Sequence, residues 1–295
     1  MPTIRANNVD LYYEETGDPD GPAMLLIMGL GTQMIAWPDA LVATLTKAGF
    51  RVIRYDNRDI GLSTHLHGAP IPSPIRAVIA KALGLPFPHA YALKDMAADA
   101  VALLDALDIS RAHLVGASMG GMIAQIVAAT YPDRVSSLTP IMSSSGRPGL
   151  PGPTAELRRR MIAKRAPNST REEAISASAE TLALISYPDP ARAPDAFRTM
   201  AGRAFDRAYN PEGGRRHLLA VIADGSRVER LKGITAPTLV IHGAADPLVP
   251  LASSQDIARH VPGARLEVVR EMAHDLPPSQ IGRVSELIVE HARSA

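Results

Sequence analysis

Cysteine is absent from the 295-residue chain, which excludes disulfide bonds, thiolate catalysis and metal sites built on cysteine. A continuous run of about 18 apolar residues is also absent, so no membrane-spanning helix is expected. The formal net charge is only +1, which gives no general case for nucleic acid or a membrane as a partner. Residues 1–8 lack the apolar stretch of a signal peptide, and we therefore expect a cytoplasmic protein. The remaining composition, 46% hydrophobic and 21% charged, is that of an ordinary globular protein.

Apolar segments of strand length alternate with segments of helical periodicity along most of the chain. This alternation predicts an α/β protein with a mostly parallel central sheet flanked by helices, because parallel strands need crossover helices. We predict strands at residues 9–16, 24–28, 50–55, 113–115, 135–142, 237–242 and 264–269, and helices at 37–48, 91–107, 122–129, 253–260 and 281–292.

Residues 143–231 interrupt the alternation, since no strand pattern occurs there. Helix-like stretches predict an inserted helical cap, so that residues 1–142 form the first part of the core, 143–231 the cap and 232–295 the second part of the core. The four stretches lie near residues 155–166, 171–185, 194–208 and 213–223.

Residues 113–124 are typical of a buried strand, a tight turn with one serine, and a helix that begins at once. Gly116, Ser118 and Gly120 spell G-x-S-x-G, the pattern of a nucleophile elbow. In such an elbow the serine adopts a strained backbone conformation that exposes its hydroxyl. The flanking positions are glycine because a Cβ would collide with the neighbouring strand or helix. We therefore predict that Ser118 is a nucleophile, the alternative being a glycine-rich structural turn.

A serine nucleophile needs a histidine base that is oriented by a carboxylate, and in this chain order the acid precedes the histidine. His274 follows the last predicted strand and precedes the final helix, where such a base belongs. Asp246 follows an earlier strand in a G-x-x-D-P turn and is the predicted acid; a proline-capped Asx-turn is the alternative. His242, at the end of the same strand, is expected to shape that turn. Asp275 adjoins His274, so its side chain is expected to point away from that ring.

Two backbone N–H groups are needed to bind the oxyanion of a tetrahedral intermediate. We predict that one belongs to Met119, the residue after the nucleophile, and the other to Leu30, in the loop after the strand at residues 24–28. Gly29 and Gly31 on either side of Leu30 permit a close approach of the backbone.

A long proline-rich segment, residues 65–90, separates a predicted strand from its helix. Its middle has helical spacing that places Ile75 and Ile79 on one apolar face. Loops of this length tend to be lids or binding loops, and we predict that Ile75 and Ile79 line the substrate entrance. A helix that fills a gap in the core is the alternative.

Motifs along nearly the whole chain resemble those of the α/β-hydrolase superfamily. Met28 stands where that family's oxyanion motif has histidine, residues 56–63 are similar to D-x-R-x-x-G-x-S, residues 115–121 to V-G-x-S-M-G-G, and residues 243–247 and 273–274 to its acid and base loops. Residues 54–64, 111–120 and 273–277 resemble more narrowly the aclacinomycin methylesterase type of carboxylesterase. The resemblance implies the α/β-hydrolase fold with a helical cap and the hydrolysis of carboxylic esters.

The expected function is therefore the hydrolysis of small to medium esters through an acyl-enzyme, with no cofactor. No metal site is expected, because the histidines lack H-x-x-x-H or paired-carboxylate spacing. Serine as nucleophile excludes the dehalogenases and epoxide hydrolases of this fold, which use aspartate. A lactonase, perhydrolase or acyltransferase would use the same triad, and a ligand receptor on this fold is a further alternative. No feature of the sequence specifies an oligomeric state.

Overall fold

The computed structural model describes residues 3–162 and 170–295. In these residues one sheet contains eight strands: β1 (Thr3–Ala6), β2 (Val9–Thr16), β3 (Ala23–Ile27), β4 (Arg51–Tyr55), β5 (Ala112–Ala117), β6 (Val135–Ile141), β7 (Leu239–Gly243) and β8 (Arg265–Val269). Their order across the sheet is β1-β2-β4-β3-β5-β6-β7-β8. β2 is antiparallel to both β1 and β4, and the other neighbours are parallel. The predicted mostly parallel sheet is confirmed, although the sequence prediction missed β1.

Helices cover both faces of the sheet, as predicted. Before β6 the chain forms α1 (Asp39–Lys47), α2 (Pro74–Ala82), α3 (Leu93–Ala106) and α4 (Met119–Thr130), and after β7 it forms α10 (Ala252–His260) and α11 (Ile281–Arg293). The central strand β3 is buried on both faces, which explains its continuous apolar sequence. Leu25 and Ile27 join the cluster with α3 and α4, whereas Met24 and Leu26 join the cluster with α1 and α11.

Between β6 and β7 the described residues contain helices and no strand. These helices are α5 (Ala155–Ile162), α6 (Arg171–Ile185), α7 (Ala196–Arg207), α8 (Pro211–Asp224) and α9 (Val228–Leu231). The predicted helix at residues 155–166 matches α5 up to Ile162, and residues 163–166 lie outside the described residues. The division at residues 142/143 and 231/232 stays a prediction. Among the described helices none is long and apolar enough to cross a membrane.

Four buried histidines make the stability of the fold dependent on pH. Burial lowers the pKa of each imidazole below its usual value, to about 4 for His113 and His217 and in the same direction for His242 and His291. The unfolded chain therefore binds more protons than the folded chain between pH 6.5 and about 4. The contribution of these histidines to the free energy of unfolding is fully present above that pH range and is lost as the pH falls through it.

We expect the melting temperature to fall as the pH is lowered from about 6.5 to about 4, because protonation of these histidines favours the unfolded chain. His113 lies on β5, where its Nδ1 meets the Ser137 hydroxyl at 2.8 Å. The variant His113→Asn is expected to show a shallower slope of melting temperature against pH than the wild type. A slope that is the same in both proteins would contradict this assignment.

Candidate active site

Ser118 lies between β5 and α4, in the left-handed backbone region, with φ of 55° and ψ of −117°. A conformation of this kind is costly for a residue with a Cβ and persists only where the surroundings enforce it. The Ser118 N–H donates to the carbonyl of Ile141 at 2.8 Å, which ties the turn to β6. A Cβ on Gly116 would collide with the carbonyl of Gly120, and one on Gly120 with the carbonyl of Ile27. The glycines of the motif are therefore required by close backbone contacts.

The structure brings Ser118, His274 and Asp246 together at the carboxyl edge of the sheet. His274 Nε2 lies 3.0 Å from Ser118 Oγ, and His274 Nδ1 lies 2.7 Å from Asp246 Oδ2. An ionised carboxylate can only accept, so Nδ1 carries a proton and Nε2 is left to accept the serine proton. Asp246 and His274 are buried, and Ser118 is half-buried.

The carboxylate of Asp246 is fixed by its own turn as well as by His274. Its Oδ1 accepts the N–H groups of Leu248 and Val249 at 2.9 and 2.8 Å. This Asx-turn, which the sequence offered as the alternative to a catalytic acid, therefore coexists with the contact to His274. A turn that holds one carboxylate oxygen leaves the other oxygen in a defined position for the imidazole.

His242 and Asp275 have other partners. His242 Nδ1 meets the Ser254 hydroxyl at 2.7 Å and its Nε2 meets the carbonyl of Val249 at 2.9 Å, so this ring supports the Asp246 turn. Asp275 turns away from His274, accepts the Tyr187 N–H at 3.0 Å and pairs with Arg192. Both contacts join the His274 loop to the segment that follows α6.

Two N–H groups near the serine are the candidates for the predicted oxyanion hole, which stays a prediction. Gly29 lies against the nucleophile, since a Cβ placed there would be 3.2 Å from Ser118 Cβ. Among the described residues, the N–H groups of Leu30 and Met119 donate to no protein acceptor. Met119 also begins α4, where the helix dipole favours negative charge. Within the described residues, the hydrogen-bonding capacity of these two groups is therefore not used by another protein group.

Core residues that the sequence analysis did not select hold the loop of Leu30. Asn57 Nδ2 donates to the carbonyl of Met28 at 3.0 Å, and the buried carboxylate of Asp56 accepts the Met34 N–H at 2.8 Å. Arg207, at the end of α7, lies 2.7 Å from Asp56 and makes an ion pair with it. The D-x-R-x-x-G-x-S segment was a usable signal for Asp56 and Asn57, but nothing in the sequence pointed to Arg207.

The apolar face of α2 is exposed. Ile75 and Ile79 are 52% and 53% exposed, whereas Ala77 is buried, and α2 packs against α8. A helix whose large side chains face outward does not fill a gap in the core, so that alternative is wrong. The prediction that Ile75 and Ile79 line the substrate entrance stays a prediction.

Comparisons with known proteins identify the family. A family model described as the alpha/beta hydrolase fold matches residues 22–277. The chain is similar to the rhodomycin D methylesterases DnrP of Streptomyces peucetius and DauP of Streptomyces sp. strain C5, at 30% and 31% identity over 314 residues, covering 100% of this chain and 99% of each relative.

A solved structure supports the fold independently. The meta-cleavage product hydrolase CumD of Pseudomonas fluorescens superposes with a TM-score of 0.78 at 22% identity, covering 100% of this chain and 98% of that one. At that identity the likeness concerns the fold alone. The family match, the full-length relatives and the elbow geometry together lead to one conclusion: this chain belongs to the α/β-hydrolase fold family.

Proposed function

We propose that the protein is a serine hydrolase that cleaves carboxylic esters through an acyl-enzyme. The observation that carries the proposal is the relay from Ser118 through His274 to Asp246, with heavy-atom distances of 3.0 and 2.7 Å. These lie within hydrogen-bonding range, as transfer of the serine proton requires. The similarity to two methylesterases supports the same reaction class.

In the first half of the reaction, Ser118 Oγ attacks the ester carbonyl while His274 Nε2 takes its proton. Asp246 stabilises the resulting imidazolium, and the N–H groups of Leu30 and Met119 bind the oxyanion. The intermediate collapses as His274 returns the proton to the leaving alcohol, which leaves an acyl group on Ser118. In the second half, His274 takes a proton from water, the hydroxide attacks the acyl carbon, and Ser118 recovers its proton as the acid departs.

The relatives' names favour a substrate whose alcohol half is methanol. Both full-length relatives are called rhodomycin D methylesterases, so the proposed reaction of this chain includes methyl esters of small to medium acids. Such a leaving group needs little room beside His274, and discrimination falls to the acyl side. A methyl ester series of increasing acid length, assayed by methanol release, tests this substrate class directly.

The first test is a fluorophosphonate probe combined with p-nitrophenyl ester turnover. A serine activated in this way is expected to be labelled once per chain at Ser118 and to hydrolyse p-nitrophenyl acetate with many turnovers. Labelling without turnover would favour a ligand receptor on the hydrolase fold, and absence of both would contradict the proposal. Adding lactones, peroxide or alcohols as second substrates then separates lactonase, perhydrolase and acyltransferase activities, which use the same triad.

The exposed face of α2 yields a prediction on acyl-chain preference. In the double variant Ile75→Ala, Ile79→Ala we expect the ratio of kcat/KM for hexanoate esters to kcat/KM for acetate esters to fall. The fall should correspond to a difference in activation free energy of roughly 1–3 kcal/mol, because a longer chain would contact these side chains at the entrance. Both residues are exposed, so the loss of stability should be small.

Val268→Ala is the matched control, because it removes a large side chain that is also exposed, at 37%, but lies on β8. It should leave the hexanoate-to-acetate ratio unchanged. If the double variant also leaves this ratio unchanged, Ile75 and Ile79 do not line the entrance.

A further inference from the structure

His217, on cap helix α8, is fully buried and contacts the loop that carries Leu30. The Gly31 N–H donates to His217 Nδ1 at 3.1 Å, and His217 Nε2 lies 2.8 Å from the carbonyl of Arg58. A carbonyl can only accept, so Nε2 carries the proton and Nδ1 is the acceptor for Gly31. Burial lowers the pKa of His217 to about 4, so the imidazole is neutral at neutral pH and its Nδ1 remains an acceptor for the Gly31 N–H.

Helix α8 is placed rigidly enough to make this contact specific. A Cβ on Gly213 would collide with the carbonyl of Asp59, and one on Gly31 would lie 3.5 Å from the Gly214 Cα. The absence of a side chain at Gly213 therefore lets the start of α8 lie directly on the core. One turn later, Arg216 forms a buried bidentate ion pair with Asp59, in which Nε donates to Oδ2 at 2.8 Å and Nη2 donates to Oδ1 at 3.0 Å. This ion pair anchors the turn of helix that carries His217.

The loop itself is a tight turn. The Thr32 N–H donates to the Gly29 carbonyl at 3.3 Å, so Leu30 and Gly31 are the two central residues, and Gly31 has a φ of +67°. A positive φ at the second central position is the mark of a type II turn. A flip of the central peptide would point the Leu30 carbonyl at His217 Nδ1, and two acceptors would then face each other. The bond from Gly31 to His217 therefore selects one state of the turn.

We propose that His217 is a positioning residue for the oxyanion hole: by holding the Leu30–Gly31 peptide through the Gly31 N–H, it fixes the turn at residues 29–32, and with it the adjoining Gly29–Leu30 peptide whose N–H, that of Leu30, would bind the oxyanion. This inference rests on the proposed function. It gives the cap a part in the chemistry, because a cap side chain sets the geometry of a core loop beside the nucleophile. Displacements of the order of 1 Å in such a site cost about 10²-fold in rate, so the loss of this one contact should be measurable.

The test compares three variants. His217→Leu removes both polar atoms from the ring position. His217→Gln keeps an amide oxygen to accept from Gly31 and an amide N–H to donate to Arg58. His291→Leu is the matched control, because His291 is also buried, has a pKa lowered by burial and bonds a backbone carbonyl at 3.2 Å, but lies on α11.

We expect His217→Leu to lower kcat for an ester by about 30- to 300-fold with KM changed less than about threefold, somewhat below the cost of deleting an oxyanion donor. The inhibition constant of an alkyl trifluoromethyl ketone, which forms a tetrahedral oxyanion on Ser118, should rise by the same factor. His217→Gln should recover most of the activity, and His291→Leu should resemble the wild type. A merely structural role would lower the fraction of active sites instead, which titration with the fluorophosphonate measures.

Hydrogen–deuterium exchange provides a readout that does not depend on turnover. Peptides covering residues 29–34 should exchange faster in His217→Leu and at nearly the wild-type rate in His217→Gln, while peptides of β3 remain protected in both. Unchanged exchange at residues 29–34, or kcat of His217→Leu within threefold of the wild type, would overturn the inference. A wild-type protein that neither reacts with the probe nor cleaves esters would refute the proposed function instead, and the exchange data would still show whether His217 holds the turn.

Discussion

Ser118→Ala is expected to lower kcat for ester hydrolysis by about 10⁴- to 10⁶-fold, because it removes the hydroxyl that forms the acyl-enzyme in the proposed mechanism. The residual rate should reflect the remaining N–H donors and substrate binding. The hydroxyl is half-buried and its hydrogen-bond partner in the described structure is His274, at 3.0 Å. Alanine can occupy the same backbone conformation at a similar cost, so the melting temperature should stay close to that of the wild type.

The measurement is kcat on p-nitrophenyl acetate together with fluorophosphonate labelling, which should vanish in this variant. Ser110→Ala is the control, since Ser110 is exposed before β5 and should leave both readouts unchanged. Activity of Ser118→Ala within tenfold of the wild type would mean that the elbow serine is not the nucleophile.

Asp246→Asn is expected to lower kcat by about 10³- to 10⁴-fold, through the tautomer of His274. Oδ1 of Asp246 accepts the N–H groups of Leu248 and Val249, so the asparagine amide oxygen would take that position. Its NH₂ group would then face His274 Nδ1, which must become an acceptor. The ring proton would move to Nε2, and Nε2 could no longer accept the proton of Ser118.

Asp275→Asn is the comparison variant, because this neighbouring carboxylate contacts Tyr187 and Arg192 rather than the imidazole. We expect less than about a tenfold change in kcat for it, as for a residue outside the relay. The measurement is kcat for both variants, with circular dichroism to verify folding. If Asp275→Asn loses nearly all activity and Asp246→Asn stays active, the catalytic acid has been assigned to the wrong residue.

The sequence alone determined the features that have a local cause. β3 is a continuous apolar run because it is buried on both faces, and the elbow glycines are required by contacts within one strand–turn–helix unit. Asp246 and His274 could be predicted because parallel strands end at one edge of a sheet, so residues that follow β7 and β8 must lie near the residue that follows β5. At the amino end, the strand β1 was missed because four residues carry too weak a pattern.

Only the tertiary structure decided which residues of the helices between β6 and β7 contact the first 142 residues. Gly31 and His217 are 186 positions apart, and Gln33 and Arg207, which bond at 2.6 Å, are 174 apart. A histidine or an arginine on one of these helices has no periodicity that separates a buried contact from a solvated surface. The outward-facing side of α2 has the same cause: its spacing predicted an apolar face, but the packing of α2 against α8 decided which side faces the solvent. Local sequence fixes which residues share a face, and the choice of neighbour depends on the packing of the whole chain.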